Sequence, residues 1–249
     1  MSEDYKEAFE RTRVAGSIAA GALDEVAKII KPGIKTNKID EVCYNFIKDH
    51  GAYSAPLFYR GFPKSCCTST NHIVCHGIPS DKILNEGDIV NVDVTAFKDG
   101  WHGDTSRTFE IGETSVKAKK LVKTTHDAMM SAIKIVKENI YLGDIGATIQ
   151  SYVEAKGFSV VQDFCGHGIG KTFHKEPNVL HYGEKGTGEK IKAGMIFTIE
   201  PMINLGNYET KLLNDGWTAV TKDKTLSAQF EHTIGVTKDG YEIFTLSKN

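Results

Sequence analysis

Four acidic residues stand out by type and setting: Asp93, Asp104, Glu200 and Glu231. Asp93 lies in an alternating run. Val90, Val92 and Val94 fall on one side of a strand, and Asn91, Asp93 and Thr95 on the other. Glu200 shares its side with Thr198 in Phe197-Thr-Ile-Glu. Asp104 sits in His102-Gly-Asp-Thr-Ser, and Glu231 in Gln229-Phe-Glu-His-Thr-Ile. Taken singly, each acid reads as a strand end or a surface charge. Brought together, the carboxylates repel and cannot all stay ionised. Divalent cations relieve that repulsion, and an oxygen-rich set with little nitrogen suits Mg, Mn or similar ions. His167 would add one nitrogen, with Gly166, Gly168 and Gly170 leaving room for a ligand. The same run is a near-miss phosphate loop. The pattern G-x-x-x-x-G-K-[ST] needs glycine where Cys165 stands, so the nucleotide reading is rejected.

His76 in Val74-Cys-His-Gly-Ile-Pro79 and His174 in Phe173-His-Lys-Glu-Pro177 sit in loops containing Gly or Pro. Either could donate to a substrate oxygen or amide, or cap a turn. Cys75, Cys165 and the pair Cys66-Cys67 have no metal or nucleophile spacing and read as small packed residues.

Acids so far apart in sequence need a fold that gathers them. Residues 7 to 30 form an amphipathic helix with Val14, Ile18, Ala22, Val26 and Ile29/Ile30 inward, stopped at Lys31-Pro-Gly33. A second helix starts near Thr36/Asn37, buries Ile39, Val42/Cys43 and Phe46/Ile47, and stops at Gly51. A loop-rich stretch from Ala52 to Ser80 leads to strands over Gly87–Phe97 and Thr105–Ile111. The order then repeats, with helices over Val116–Glu138 and Asp144–Lys156. Ile39 aligns with Ile145, Ile47 with Val153 and Gly51 with Gly157, an offset of 106; Asp93 aligns with Glu200 at 107. This pattern predicts a duplicated α+β unit, two halves about a pseudo-two-fold with sheets joined and helices outside. We expect one domain over 1–249, with halves of roughly 1–112 and 113–249.

Composition agrees with such an enzyme-like core. The 249 residues are 40% hydrophobic and 25% charged, which excludes a disordered or collagen-like chain. Thirty Lys and Arg against 32 Asp and Glu give a net charge of -2, no support for DNA or a membrane surface as partner. No apolar run approaches a membrane span. The acidic start lacks a signal peptide, and the five cysteines form no C-x-x-C pair, so we expect a reducing, cytoplasmic setting.

The ordered set of Phe62-Pro-Lys-Ser, Asn71 to Pro79, Gly87 to Val94, His102-Gly-Asp-Thr-Ser, Gly166-His-Gly-Ile-Gly, Phe197-Thr-Ile-Glu-Pro-Met, Asp215-Gly-Trp-Thr and Gln229-Phe-Glu-His-Thr-Ile resembles methionine aminopeptidase type I. The resemblance spans nearly the whole chain and implies the pita-bread fold, α+β with a central antiparallel sheet and outer helices. It carries over Asp93, Asp104, His167, Glu200 and Glu231 as ligands of two divalent ions (Co, Mn, Fe or Zn), with Asp104 and Glu231 shared between them. Glu200 becomes a proton shuttle, and His76 and His174 substrate-contacting catalytic residues. Tyr59, Phe62, Cys67, Phe173 and Trp217 would line a methionine pocket, where each alone could be a core residue. Asn71, Ile73 and Ser227 fall on a monovalent-cation site found in some members.

The implied reaction is removal of an N-terminal initiator methionine from peptides and nascent chains when the second residue is small. Thirty-three positions from His167 to Glu200 are too few for a type II insertion, and no Cys/His-rich extension precedes residue 7, so the short bacterial form is expected. His72 departs from the acid usual after Asn71. The family suggests a monomer, and the ribosome as a source of substrate. Prolidase and aminopeptidase P share fold and ligands but usually carry an added N-terminal domain. Non-catalytic binding proteins and metal-free creatinase-like hydrolases of this fold lack the five ligands.

Overall fold

The computed structural model describes residues 5–247. Helices α1 (Lys6–Ile29) and α2 (Thr36–Asp49) precede strands β1 (Tyr53–Ser54), β2 (Cys67–Thr70), β3 (Ile73–Cys75), β4 (Ile89–Lys98) and β5 (Trp101–Glu110). Helices α3 (Val116–Ile135) and α4 (Leu142–Glu154) open the second half. Strands β6 (Ser159–Val160), β7 (Gly166–Gly168), β8 (Lys175–Val179), β9 (Ile196–Ile199) and β10 (Met202–Asn204) follow. The chain ends with β11 (Thr210–Leu212), β12 (Ala219–Thr221), β13 (Ser227–Gln229), β14 (Glu231–Val236) and β15 (Tyr241–Ile243).

The main sheet has the order β1-β4-β5-β14-β9-β7-β8, so β5 and β14 join the two halves. They pair antiparallel, Glu231 opposite Ser106 and His232 opposite Thr105. Asp104 and Glu231 each stand one residue before that central Thr105–His232 pair, as a local two-fold requires. The helices lie behind the sheet. Ile18, Leu23 and Val26 of α1 and Ile39, Cys43 and Ile47 of α2 pack with Val90, Val92 and Val94 of β4. Leu121 and Met129 of α3 and Ile145 and Ile149 of α4 pack with Phe197, Ile199 and Ile234. The acids therefore project from the opposite face, because side chains alternate across a strand.

Register follows from one turn. Asp99 and Gly100 are the two central residues between Lys98 and Trp101, with φ of 48° and 85°. Two left-handed residues make the tight hairpin turn that Asp-Gly favours. It sets Thr95 against Asp104 and Asp93 against Ser106. A slip of one residue would turn Asp104 to the helical side.

The expected helices form, with local differences. Helix α4 starts at Leu142 rather than Asp144. The Asp144 carboxylate is not the leading cap but reaches back to accept the Tyr141 N–H at 2.8 Å. Val14 is exposed, not inward. The stretch from Ala52 to Ser80 holds three short strands and a 3₁₀ turn at Tyr59–Gly61, not only loop. All four residues of β2 are buried, so alternation could not reveal that strand. Strand β5 begins at Trp101, earlier than expected, since the hairpin leads directly into it.

Helix α1 lies against the backbone of β5. A Cβ at Gly103 would come within 2.5 Å of Gly16 Cα, and one at Gly16 within 2.5 Å of the Phe244 carbonyl oxygen. No side-chain rotation relieves a backbone clash. Gly103→Ala should therefore lower the unfolding free energy by about 3 kcal/mol, the upper end for overpacking. Urea denaturation measures this, and wild-type stability would contradict the packing.

Candidate metal centre and its cavity

The four acids and His167 arrive by different elements on one face of the sheet. Asp93 and Asp104 come from the β4–β5 hairpin, Glu231 from the start of β14, and His167 from β7. Glu200 follows the last residue of β9. Continuing the β14–β9 register, in which His232 faces Ile199, brings Glu200 opposite Glu231. Gly166 and Gly168 flank His167 for a steric reason. A Cβ at either would meet a carbonyl oxygen, of Thr198 at 2.4 Å or of Glu176 at 2.2 Å.

Ligand atoms of Asp104, His167 and Glu231 all lie within 4.8 Å of one another, and all three residues are buried. His167 Nε2 is 3.5 Å from Glu200 Oε1 and 3.7 Å from Asp104 Oδ2. Its Nδ1 is 3.1 Å from the Gly168 carbonyl, which can only accept, so Nδ1 carries the proton. Burial above all pushes the imidazole down to about 4. At neutral pH the ring is uncharged, and its short approaches to two carboxylates are not ion pairs. Its Nε2 lone pair instead faces their oxygens.

The acids are driven toward their protonated forms. Burial pushes Asp93 up to about 7. It pushes Glu200 up to about 8, with the charge of Asp93 adding and the Thr198 hydrogen bond opposing. Asp104 and Glu231 rise well above the usual carboxylate range, first through burial and then through their acidic neighbours. Among the described residues, buried Glu231 Oε1 has no hydrogen-bond partner. An orphaned carboxylate oxygen, a lone pair aimed at two more carboxylates and an oxygen-dominated donor set fit divalent cations.

These groups line a cavity of about 400 Å³, which Asp93 and Glu200 share. Tyr59, Phe62, Cys67, Phe173, Trp217, His76 and His174 line it too. Phe62 and Trp217 meet edge to face at 5.2 Å. His76 stands at right angles to Phe164, 5.6 Å away. Its backbone is left-handed, φ 56°, and a Cβ at the next residue, Gly77, would strike the Thr68 carbonyl at 2.2 Å. The His174 ring lies 4.2 Å from that of His167 and 4.0 Å from Phe173. The residue as a whole is exposed at the mouth, yet its imidazole is pushed down to about 3 by desolvation and then by neighbouring imidazoles.

Further residues support the acids. Thr95 Oγ1 donates to Asp104 Oδ1 at 2.7 Å, and Thr198 Oγ1 to Glu200 Oε1 at 2.7 Å. Both occur two residues from an acid on a strand, the spacing that signals a shared face. Gln229 Nε2 donates to Glu200 Oε2 at 3.3 Å, and the Glu200 N–H donates to His181 Nε2 at 3.2 Å. No local pattern marks His181, which is fully buried. Cys75 and Cys165 border the cavity rather than serving only as packing. Asn71 and Ser227 meet away from this cavity, while Ile73 pairs with Val220. The Ser227 N–H donates to the Asn71 carbonyl at 2.8 Å, and among the described residues the buried Ser227 Oγ has no partner.

The raised acids set a pH dependence. With metal stripped, Asp93 and Glu200 keep protons in the folded state that they lose when unfolded, so stability falls as pH rises through about 7 and about 8. Buried neutral histidines act in the opposite sense, but only below their unfolded pKa of about 6.5. The melting temperature of EDTA-treated protein should therefore fall from about pH 6.5 to about pH 8.5, and excess Mn²⁺ should abolish the fall. A flat profile without metal would contradict this electrostatic picture.

Comparison with known proteins agrees with the geometry. Residues 10–238 match metallopeptidase family M24. The chain is 58% identical to the methionine aminopeptidase of Rickettsia prowazekii, over 96% of this chain and 93% of that protein. It is 51% identical to the Escherichia coli K12 methionine aminopeptidase, over 98% and 93%. The crystal structure of the Rickettsia prowazekii methionine aminopeptidase superposes with a TM-score of 0.96 at 57% identity, covering 97% of this chain and 98% of that one. A prolidase from Pyrococcus furiosus shares the fold, with a TM-score of 0.79 at 22% identity, and this chain covers 65% of it. With the methionine aminopeptidases matched almost end to end, on the pita-bread fold whose sheet gathers the acids, the chain belongs to metallopeptidase family M24, among its methionine aminopeptidases.

Proposed function

We propose that the chain is a metal-dependent aminopeptidase that removes N-terminal methionine when the next residue is small. The observation that carries this is the cluster of Asp104, His167 and Glu231 within 4.8 Å in a cavity also lined by Tyr59, Phe62, Cys67, Phe173 and Trp217. Asp93, Asp104, His167, Glu200 and Glu231 would hold two divalent ions, with Asp104 and Glu231 shared. Co, Mn, Fe and Zn all suit these donors. Bound there, such ions supply Lewis acidity and lower the pKa of water to near neutrality.

The chain's own groups do the rest. Glu200, held by Thr198 and Gln229, takes a proton from water and returns it to the departing amine. His76 hydrogen-bonds the substrate backbone, and His174 donates to the oxygen that gains charge as the peptide bond opens. The aromatic and sulfur-bearing wall suits an unbranched thioether. The second substrate residue lies among the histidines and acids, where only Gly, Ala, Ser and similar side chains fit.

Asn71, Ile73 and Ser227 would take a monovalent cation, a reading supported by a Ser227 hydroxyl with no partner among the described residues. Nascent chains at the ribosome, a monomeric enzyme and the cytoplasm complete the proposal. The five free cysteines suit a reducing compartment. Among the described residues, no helix is long and apolar enough to cross a membrane.

Peptides Met-X-Ser with X varied by size, together with Ala-Pro, test this across metals. Methionine release should be fast for Met-Ala-Ser, fall as X grows and leave Ala-Pro intact. Glu231→Gln should lose bound metal and about 10²-fold or more of turnover. Full occupancy and normal rate in that variant would remove Glu231 from the centre. Release indifferent to X would remove the small-residue rule.

A further inference from the structure

Tyr59 enters the proposed function only as a wall of the cavity, yet its hydroxyl meets one particular atom. Oη lies 3.0 Å from Nδ1 of His174. It is the only hydrogen bond of that hydroxyl among the described residues. The two rings are 5.1 Å apart, and Phe173 touches both, 5.0 Å from Tyr59 and 4.0 Å from His174. Beneath Tyr59 the backbone is unusual. Phe58 and Arg60, on either side, are both left-handed at φ 66° and 47°. L side chains rarely adopt this conformation, and it persists where the surroundings over-determine it. The turn is closed by backbone bonds from Phe58 N–H to the Phe62 carbonyl at 2.8 Å and from Tyr59 N–H to the Pro56 carbonyl at 2.9 Å. The phenol is thus presented from a fixed turn.

A neutral imidazole carries one N–H, and its partners choose which nitrogen bears it. If Nδ1 donated to the phenol oxygen, Nε2 would be a bare acceptor, unable to stabilise negative charge on a substrate oxygen. If the phenol donates to Nδ1, the proton resides on Nε2. The geometry points to Tyr59 as a positioning residue: its hydroxyl donates to His174 Nδ1 and holds the imidazole as the Nε2–H tautomer that donates to the substrate. This rests on the reading of His174 as an oxyanion donor and explains how a ring at an open mouth keeps one tautomer and one orientation. Tyr59 acts through His174 and does not itself touch the reacting atoms.

The test uses Zn²⁺-loaded full-length protein with ¹⁵N-labelled histidine, and His174→Ala to assign the His174 signals. The wild-type spectrum should show Nδ1 as an acceptor and Nε2 protonated. Tyr59→Phe keeps the ring packing and should populate the Nδ1–H form. Its kcat on Met-Ala-Ser should fall about 10–100-fold with KM nearly unchanged. In a His174→Ala background the same change should have no further effect, since the path it acts through is gone. An Nδ1–H tautomer in the wild type overturns the inference. So does an unaltered tautomer and kcat in Tyr59→Phe, a change in KM alone, or an equal drop in the His174→Ala background. A wild-type protein that releases no methionine with any metal would instead sink the proposed function, while the tautomer measurement, which needs no turnover, still decides the hydrogen bond.

Discussion

Buried carboxylates that repel one another are the constraint on which this structure turns. Asp93, Asp104, Glu200 and Glu231 share one face of the sheet with a neutral His167. Desolvation favours the protonated form of each acid, and each charge makes its neighbours harder to ionise. Apolar packing gives no reason to gather these groups, since the hydrophobic clusters lie behind the sheet. Cation binding supplies the compensating attraction, so burial that is unfavourable in the bare chain becomes a strong preference for divalent ions.

The fold meets that constraint by holding the acids rigidly. Behind the sheet, α1 approaches so closely that Gly16 and Gly103 must lack side chains. The two-residue turn at Asp99-Gly100 fixes the β4–β5 register, and the β5–β14 seam carries it into the second half. Hydroxyls of Thr95 and Thr198 and the amide of Gln229 then orient individual carboxylate oxygens. The site is accurate because its donors stand on strands. The mouth, by contrast, is built from loops with left-handed backbone at Phe58, Arg60 and His76, where aromatic rings line the opening.

What a sequence pattern reveals depends on the range of the interaction. Helical periodicity found all four helices, because the i, i+3, i+4 pattern is local. The duplication predicts two joined halves, and the sheet order agrees; the registers differ from the predicted alignment of Asp93 with Glu200, since Thr95 faces Asp104 where Glu200 faces Glu231. Strand β2 stayed hidden because burial on both faces erases alternation. Helix α4 began two residues early because Asp144 serves the first turn from inside it. Val14 matches the apolar stripe of α1 yet faces solvent, because Phe9, Thr12, Ala15 and Gly16 around it carry the buried face of the helix.

Residue types and motif order are enough to give the helices, the strand face on which Asp93 and Glu200 stand, and the family, since each follows from neighbouring residues or from motifs in order. Tertiary structure alone decided which of those faces meet. It set His167 Nε2 beside Asp104 and Glu200, His181 behind the Glu200 amide, and the Tyr59 hydroxyl on His174 Nδ1 across 115 positions of chain. The physical reason is that hydrogen bonds and desolvation act over a few ångströms. A one-dimensional pattern records which residues could take part in them, but only the packed sheet brings the atoms within that distance.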